Sequence, residues 1–271
     1  MNAPLRPGAF ALVLMLALVP AAMPASAQQK AAPRLEFAQL ENKATRLPML
    51  AERITKLYLQ VGQKLLGSRV SRSLAAAIGE FDAGLKELVA QAPTPEIKEN
   101  YQLLELLWAD FKAIAQKPPD VDNARALAEL DEEVAWIAAK GATLIHDYAK
   151  AQANEFIRTA GDVRVIVQRI GKLYLLRGWG IHPGTIAGDL KAADADFRKA
   201  MARLADAPQN TPEIKAELQL AENQYVFLGQ AAERLDTGKN ATRELEFIAK
   251  TCDNILEVMD RAARLYEGVR S

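Results

Sequence analysis

Arg169–Leu176 reads "RIGKLYLL", and 116 positions earlier Arg53–Gln60 reads "RITKLYLQ". The two stretches differ only at Thr55/Gly171 and at Gln60/Leu176. The likeness extends outward. "TPEIK" occurs at Thr94–Lys98 and again at Thr211–Lys215, each copy behind an Ala-Pro pair in "AQAPTPEIK" and "ADAPQNTPEIK". Phe81 and Phe197 hold matching places in "EFDAGLKEL" and "DFRKAMARL". The same marks in the same order indicate an internal duplication.

Threonine, proline and glutamate in succession form a helix start. The hydroxyl caps free N–H groups, proline suits the first turn, and the acid favours the positive end of the helix. Breaks at Gly67-Ser68, Pro93, Pro118-Pro119, His182-Pro183-Gly184, Pro208 and Thr237-Gly238 divide the chain into helical stretches. They lie near 36–66, 70–91, 95–116 and 121–152, then near 155–178, 185–205, 212–236 and 239–268. β-Branched alternation is almost absent, so strands are not predicted. The expected fold is all-α, with two tandem up-and-down four-helix bundles over 28–152 and 153–271. From Ala142 to Ala160 there is neither glycine nor proline. One helix is therefore expected to run from the first bundle into the second and stack them end to end, side by side being the alternative.

The first 27 residues have the layout of a secretory signal: Arg6, an apolar run from Ala9 to Val19, then small residues up to Ala25-Ser26-Ala27. The run is short for a membrane span, and Pro20 and Pro24 interrupt its continuation. A periplasmic, secreted chain is expected, an uncleaved anchor being the alternative. The formal net charge of zero gives no basic surface for nucleic acid. The single cysteine, Cys252, has no internal disulfide partner and reads as a buried apolar filler.

On a helical wheel Val163, Ile166, Val167, Ile170, Leu173 and Tyr174 form a stripe for the core. Val165, Leu175 and Leu176 lie on the opposite side beside Gln168 and Lys172, so this helix is expected to meet a second neighbour, for instance another subunit. Arg164 and Arg169 stand at the margins of that second face. No carboxylate lies three or four positions from either. Two readings stay open: tertiary ion pairs or solvent exposure, and a clamp in which guanidinium forks hold an oxyanion.

"FIRTAGDVRVIVQRIGKLYLLRGWGI" resembles the start of the N-terminal sensor domain of type IV pili methyl-accepting chemotaxis transducers, a domain related to the periplasmic part of nitrate/nitrite sensor kinases. Ala160, Gly161, Arg164, Gln168, Arg169, Lys172, Leu173 and Tyr174 carry the resemblance. The first copy follows it through Ala44, Met49, Leu50, Arg53, Lys56 and Tyr58. The resemblance implies a periplasmic four-helix sensor bundle and, in the nitrate-sensing branch, an anion held between first helices of two subunits. The implied ligand residues are Arg164, Arg169 and Gln168, with Arg53 in the first copy. The first copy departs from the pattern at Thr45, Pro48 and Glu52. Pro48 is expected to bend or restart its helix and Glu52 to repel an anion, so the ligand is expected in the second copy. Sensors of this family continue into a membrane helix and an output module, whereas this sequence ends at Ser271. It resembles the sensing part alone, duplicated.

No metal spacing, haem-attachment motif, phosphate loop or nucleophile elbow is present, so neither an enzyme nor a cofactor is expected. His146 and His182 read as surface or capping residues, the "LDEE" of Leu130–Glu133 as a solvated face, and Trp108 and Trp136 as core. Trp179 is placed at a bundle tip. Two functions follow: a periplasmic module sensing a small oxyanion such as nitrate or nitrite, paired as a homodimer through first helices, or a ligand-free module docking on a membrane receptor or another periplasmic protein.

Overall fold

The computed structural model describes residues 36–150, 154–181, 184–236, 238 and 240–269. The expected signal segment and His182 lie outside them. Eight helices follow one another: α1 (Phe37–Gly62), α2 (Arg69–Gln91), α3 (Pro95–Ala115), α4 (Val121–Ala149), α5 (Glu155–Gly178), α6 (Ile186–Ala205), α7 (Pro212–Asp236) and α8 (Ala241–Glu267). There is no strand among the described residues.

The helix starts are those the sequence chemistry requires. Thr94 Oγ1 accepts from the Ile97 amide and Thr211 Oγ1 from the Ile214 amide, each at 3.3 Å, with proline following. Asp120 caps α4 through the Asn123 amide at 2.7 Å. α1 continues through Pro48 without a restart, contrary to expectation. Proline there removes one backbone donor, and packing of the buried residues on both sides holds the helix together.

α1 packs on α2 and α4, and α3 on α4 and more lightly on α2. α5 packs on α6 and α8, and α7 on α8 and more lightly on α6. The aromatic stack Phe81–Trp108, with centroids 3.9 Å apart, has its counterpart in Phe197–Tyr225 at 3.6 Å. The same packing device thus recurs in each half.

The halves meet along α1 and α5, which lie side by side and run parallel. Thr45 faces Gly161, Lys56 faces Gly171, and Gln63 Nε2 donates to the Leu175 carbonyl at 3.0 Å. End-to-end stacking on a continuous helix is therefore incorrect. α4 stops at Ala149, Lys150 adopts φ 48°, and Asn154 opens α5 by accepting from the Phe156 and Ile157 amides. The second neighbour expected for α5 is α1 of the same chain: Leu175 and Leu176 are buried, and Val165 is half-buried.

Glycine makes this approach close. A Cβ on Gly161 would stand 2.5 Å from Thr45 Cβ, and one on Gly171 2.8 Å from Lys56 Cδ. Gly161→Val is expected to wedge α1 from α5 and cost about 2 kcal/mol, lowering the thermal midpoint by roughly 4–8 °C. Gly188→Val on α6, where an added Cβ meets nothing within 4 Å, is the control in the same calorimetric scan and lowers the midpoint less.

Candidate functional site: the charged seam between α1 and α5

The seam contains buried charge. Glu52, Lys56, Arg164, Lys172 and Asp131 are all buried, and Arg164 has 0% exposure. An unpaired ion in such surroundings costs several kcal/mol, so each must find a counter-ion.

Arg164 reaches across from α5. Its Nη1 donates to Asp260 Oδ1 of α8 at 2.8 Å, and its Nη2 to Asn42 Oδ1 at 2.8 Å and Thr45 Oγ1 at 2.7 Å. Arg46 Nη1 shares Asp260 at 2.8 Å, and Arg46 Nε donates to Glu80 at 2.9 Å. Burial works to raise the Asp260 carboxyl, but Arg164 and Arg46 outweigh it and hold it below its ordinary range. Burial also pulls the Arg164 guanidinium downward, against the pull of Asp260.

Two turns on, Lys172 Nζ is ringed by Asp131 at 2.6 Å, Glu52 at 2.8 Å and Glu132 at 2.8 Å. Arg169 Nε donates to Glu52 at 2.8 Å and its Nη2 to Glu132 at 3.2 Å. Glu52, Asp131 and Glu132 converge closely enough to offer oxygens to one cation, and the Lys172 ammonium already fills that role. The repeat-related pair in α1 is arranged likewise: Lys56 Nζ meets Asp253 at 2.6 Å, with Arg53 Nε at 3.7 Å from the same carboxylate. Gln168 is buried and donates to the Cys252 carbonyl at 3.1 Å. Burial pushes the Cys252 thiol up to about 12, leaving it a protonated filler.

The predicted ligand residues lie on α1 and α5 and already have partners within the protein. Arg164 has Asp260, Arg169 has Glu52 and Glu132, and Arg53 has Asp253. Glu52, expected to repel an anion from the first copy, instead neutralises the second. The reading of "LDEE" as solvated fails at Asp131, which is fully buried under Lys172. Its place was legible, because Leu127, Asp131, Val134 and Ala138 share the core-facing stripe of α4. Asp253 and Asp260 were missed because they lie far along the chain from the arginines they meet. His146 contacts Glu41. Trp108 is core, Trp136 is 65% exposed, and Trp179 lies half-buried with its ring over Gly62 at the end of α1.

Compared with family models, curated proteins and solved structures, the chain matches none. Among the described residues no helix is long and apolar enough to cross a membrane.

Three carboxylates against two cations leave the Lys172 cluster with one negative charge in excess. Burial first, with Glu52 and Glu132 adding to it, lifts the Asp131 carboxyl to about 7 despite Lys172. A carboxyl raised on folding stabilises the protein most in acid and loses that contribution as pH rises through its folded value. The urea midpoint is expected to fall between about pH 4 and pH 7, and Asp131→Asn to flatten that fall. An unchanged slope in the variant assigns the titration elsewhere.

Proposed function

We propose that the chain is a non-catalytic, sensor-like interaction module: two four-helix bundles fused so that their first helices form a permanent pair, closed to the anion that such a pair would otherwise hold. The observation that carries this reading is Arg164, fully buried with Asp260, Asn42 and Thr45 on its two terminal nitrogens. A carboxylate on α8 occupies the position a small oxyanion would take. The resemblance to chemotaxis-transducer and nitrate-sensor domains supplies the family context, and a periplasmic setting follows from the same resemblance and the leader-like first residues.

The outer helices support docking on a protein partner. Leu103 and Leu106 of α3, and Leu220, Val226 and Phe227 of α7, are exposed apolar residues on helices that correspond between the halves. A membrane receptor or another periplasmic protein is the partner class this reading favours over nitrate or nitrite.

Thermal-shift and calorimetric titration with millimolar nitrate and nitrite is expected to leave the wild-type chain unmoved. Asp260→Ala, which uncovers Arg164, is expected to be less stable and to regain part of the loss when nitrate is added. A saturable nitrate response in the wild type that disappears in Arg164→Met would overturn the closed-seam reading.

A further inference from the structure

The Lys172 cluster has a counterpart in the other half, and the two differ in charge. α4 aligns with α8 through Val134 and Ile255, Ala138 and Met259, and Ile145 and Tyr266, all buried. Glu132 then corresponds to Asp253, and each serves a lysine and an arginine of the α1/α5 pair. In the same register Asp131 corresponds to Cys252, and by the 116-residue repeat Glu52 corresponds to Gln168. The α8 flank thus sets one carboxylate against Arg53 and Lys56, with a thiol and an amide at the other two places. The α4 flank sets three carboxylates against Arg169 and Lys172.

This second cluster lacks a donor as well as a positive charge. Of its six carboxylate oxygens, four accept a hydrogen bond: Glu52 Oε1 and Glu132 Oε2 from Arg169, and Asp131 Oδ2 and Glu132 Oε1 from Lys172. Glu52 Oε2 accepts none but touches Lys172 Nζ at 2.8 Å. Asp131 Oδ1 is buried and has no donor. Such an oxygen is costly unless it acquires a hydrogen. One proton on that atom supplies the missing donor and the missing charge together. Burial pulls the Lys172 ammonium down, but the carboxylates outweigh it and keep it charged. Burial works to raise Glu132, but Lys172 and Arg169 hold it below its ordinary range. The proton therefore falls to Asp131, whose carboxyl burial lifts to about 7.

We propose that Asp131 is a proton-operated switch on the contact of α4 with α5: with the proton in place the seam stays dry and closed, and without it the seam opens to water. α4 packs on α1 and α3, and its bonds to α5 include Lys172 to Asp131 and Glu132 and Arg169 to Glu132. An uncompensated buried charge weakens that hold. Water has a route, since a cavity of about 350 Å³ between α4, α5 and α6 is lined by Glu132, Arg169 and Lys172. Asp189 and Asp196 of α6 line the same cavity and add to its negative side. No charge of α3 bears on Asp131 among the described residues. A larger cleft of about 1020 Å³ shares Glu132 and Arg169 with this cavity and leaves α4 room to move. The switch uses none of the contacts of Arg164, so it and the closed-seam reading stand or fall separately.

The test uses the full chain with ¹³C-labelled aspartate. One carboxyl is expected to titrate between about pH 6 and pH 8, and its signal to be missing in Asp131→Asn. Amide exchange over 127–140, corrected for its intrinsic rate, is expected to rise by up to about tenfold per pH unit between about pH 5 and pH 7. It then levels off, because the carboxyl of the opened state returns to its ordinary value near about 4 and both states are ionised above pH ~7. In Asp131→Asn that rise is absent. Glu52→Gln, which copies Gln168, removes the excess charge and is expected to lower the titration point by at least about one pH unit. It also serves as the second variant should Asp131→Asn fail to fold. No aspartate titrating above about pH 6, no downward shift in Glu52→Gln, or the same exchange profile with and without the Asp131 carboxyl would overturn the assignment.

Discussion

Cations buried between two parallel helices must be answered by carboxylates, and that requirement organises this molecule. Arg164 and Lys172 of α5 and Lys56 of α1 are taken out of water by the approach of α1 to α5. Asp260 and Asp253 meet them from α8, Asp131 from α4 and Glu52 from α1. Breaking such a pair by removing one partner costs more than never having it, because the remaining charge has no solvent to turn to. The register of the two halves must therefore keep each cation against its carboxylate.

Duplication explains the form of this arrangement. Two copies of one helical unit that meet through their first helices bring two like surfaces together, and one chain carrying both makes the pair permanent. Fusion also frees the two flanks to diverge. On one flank Arg46 and Asp260 complete the ion network and close the surface. On the other, Asp162, Pro48 and Ala139 stand at the corresponding places, and a cleft remains. The asymmetry exists only because one chain now encodes both sides.

The local chemistry of the fold was legible from sequence. Thr94 with Pro95 and Thr211 with Pro212 marked helix starts that the hydrogen bonds reproduce, and every break fell at a glycine, proline or cap. The α4–α5 junction escapes a rule that counts only glycine and proline as breakers, although Asn154 before Glu155 is itself a capping signal. The amphipathic excess of α5 correctly demanded a second neighbour, but periodicity does not say whose helix it is. The candidate site was harder to read. A search along the same helix found no acid within reach of Arg164 or Arg169, yet their partners are 96 and 117 positions away. Only Asp131, a carboxylate on a core stripe, announced its role locally, and Trp136 looked like core because its apolar neighbours face away from it.

A double-mutant cycle on Arg164 and Asp260, read by urea unfolding, tests the central claim most directly. Removing only the carboxylate, as Asp260→Ala, is expected to cost about 3–5 kcal/mol, while Arg164→Met combined with Asp260→Leu recovers most of that loss. If Asp260→Ala costs less than about 1 kcal/mol, as truncating an exposed pair does, Arg164 is not held by Asp260 in a dry seam and the account fails.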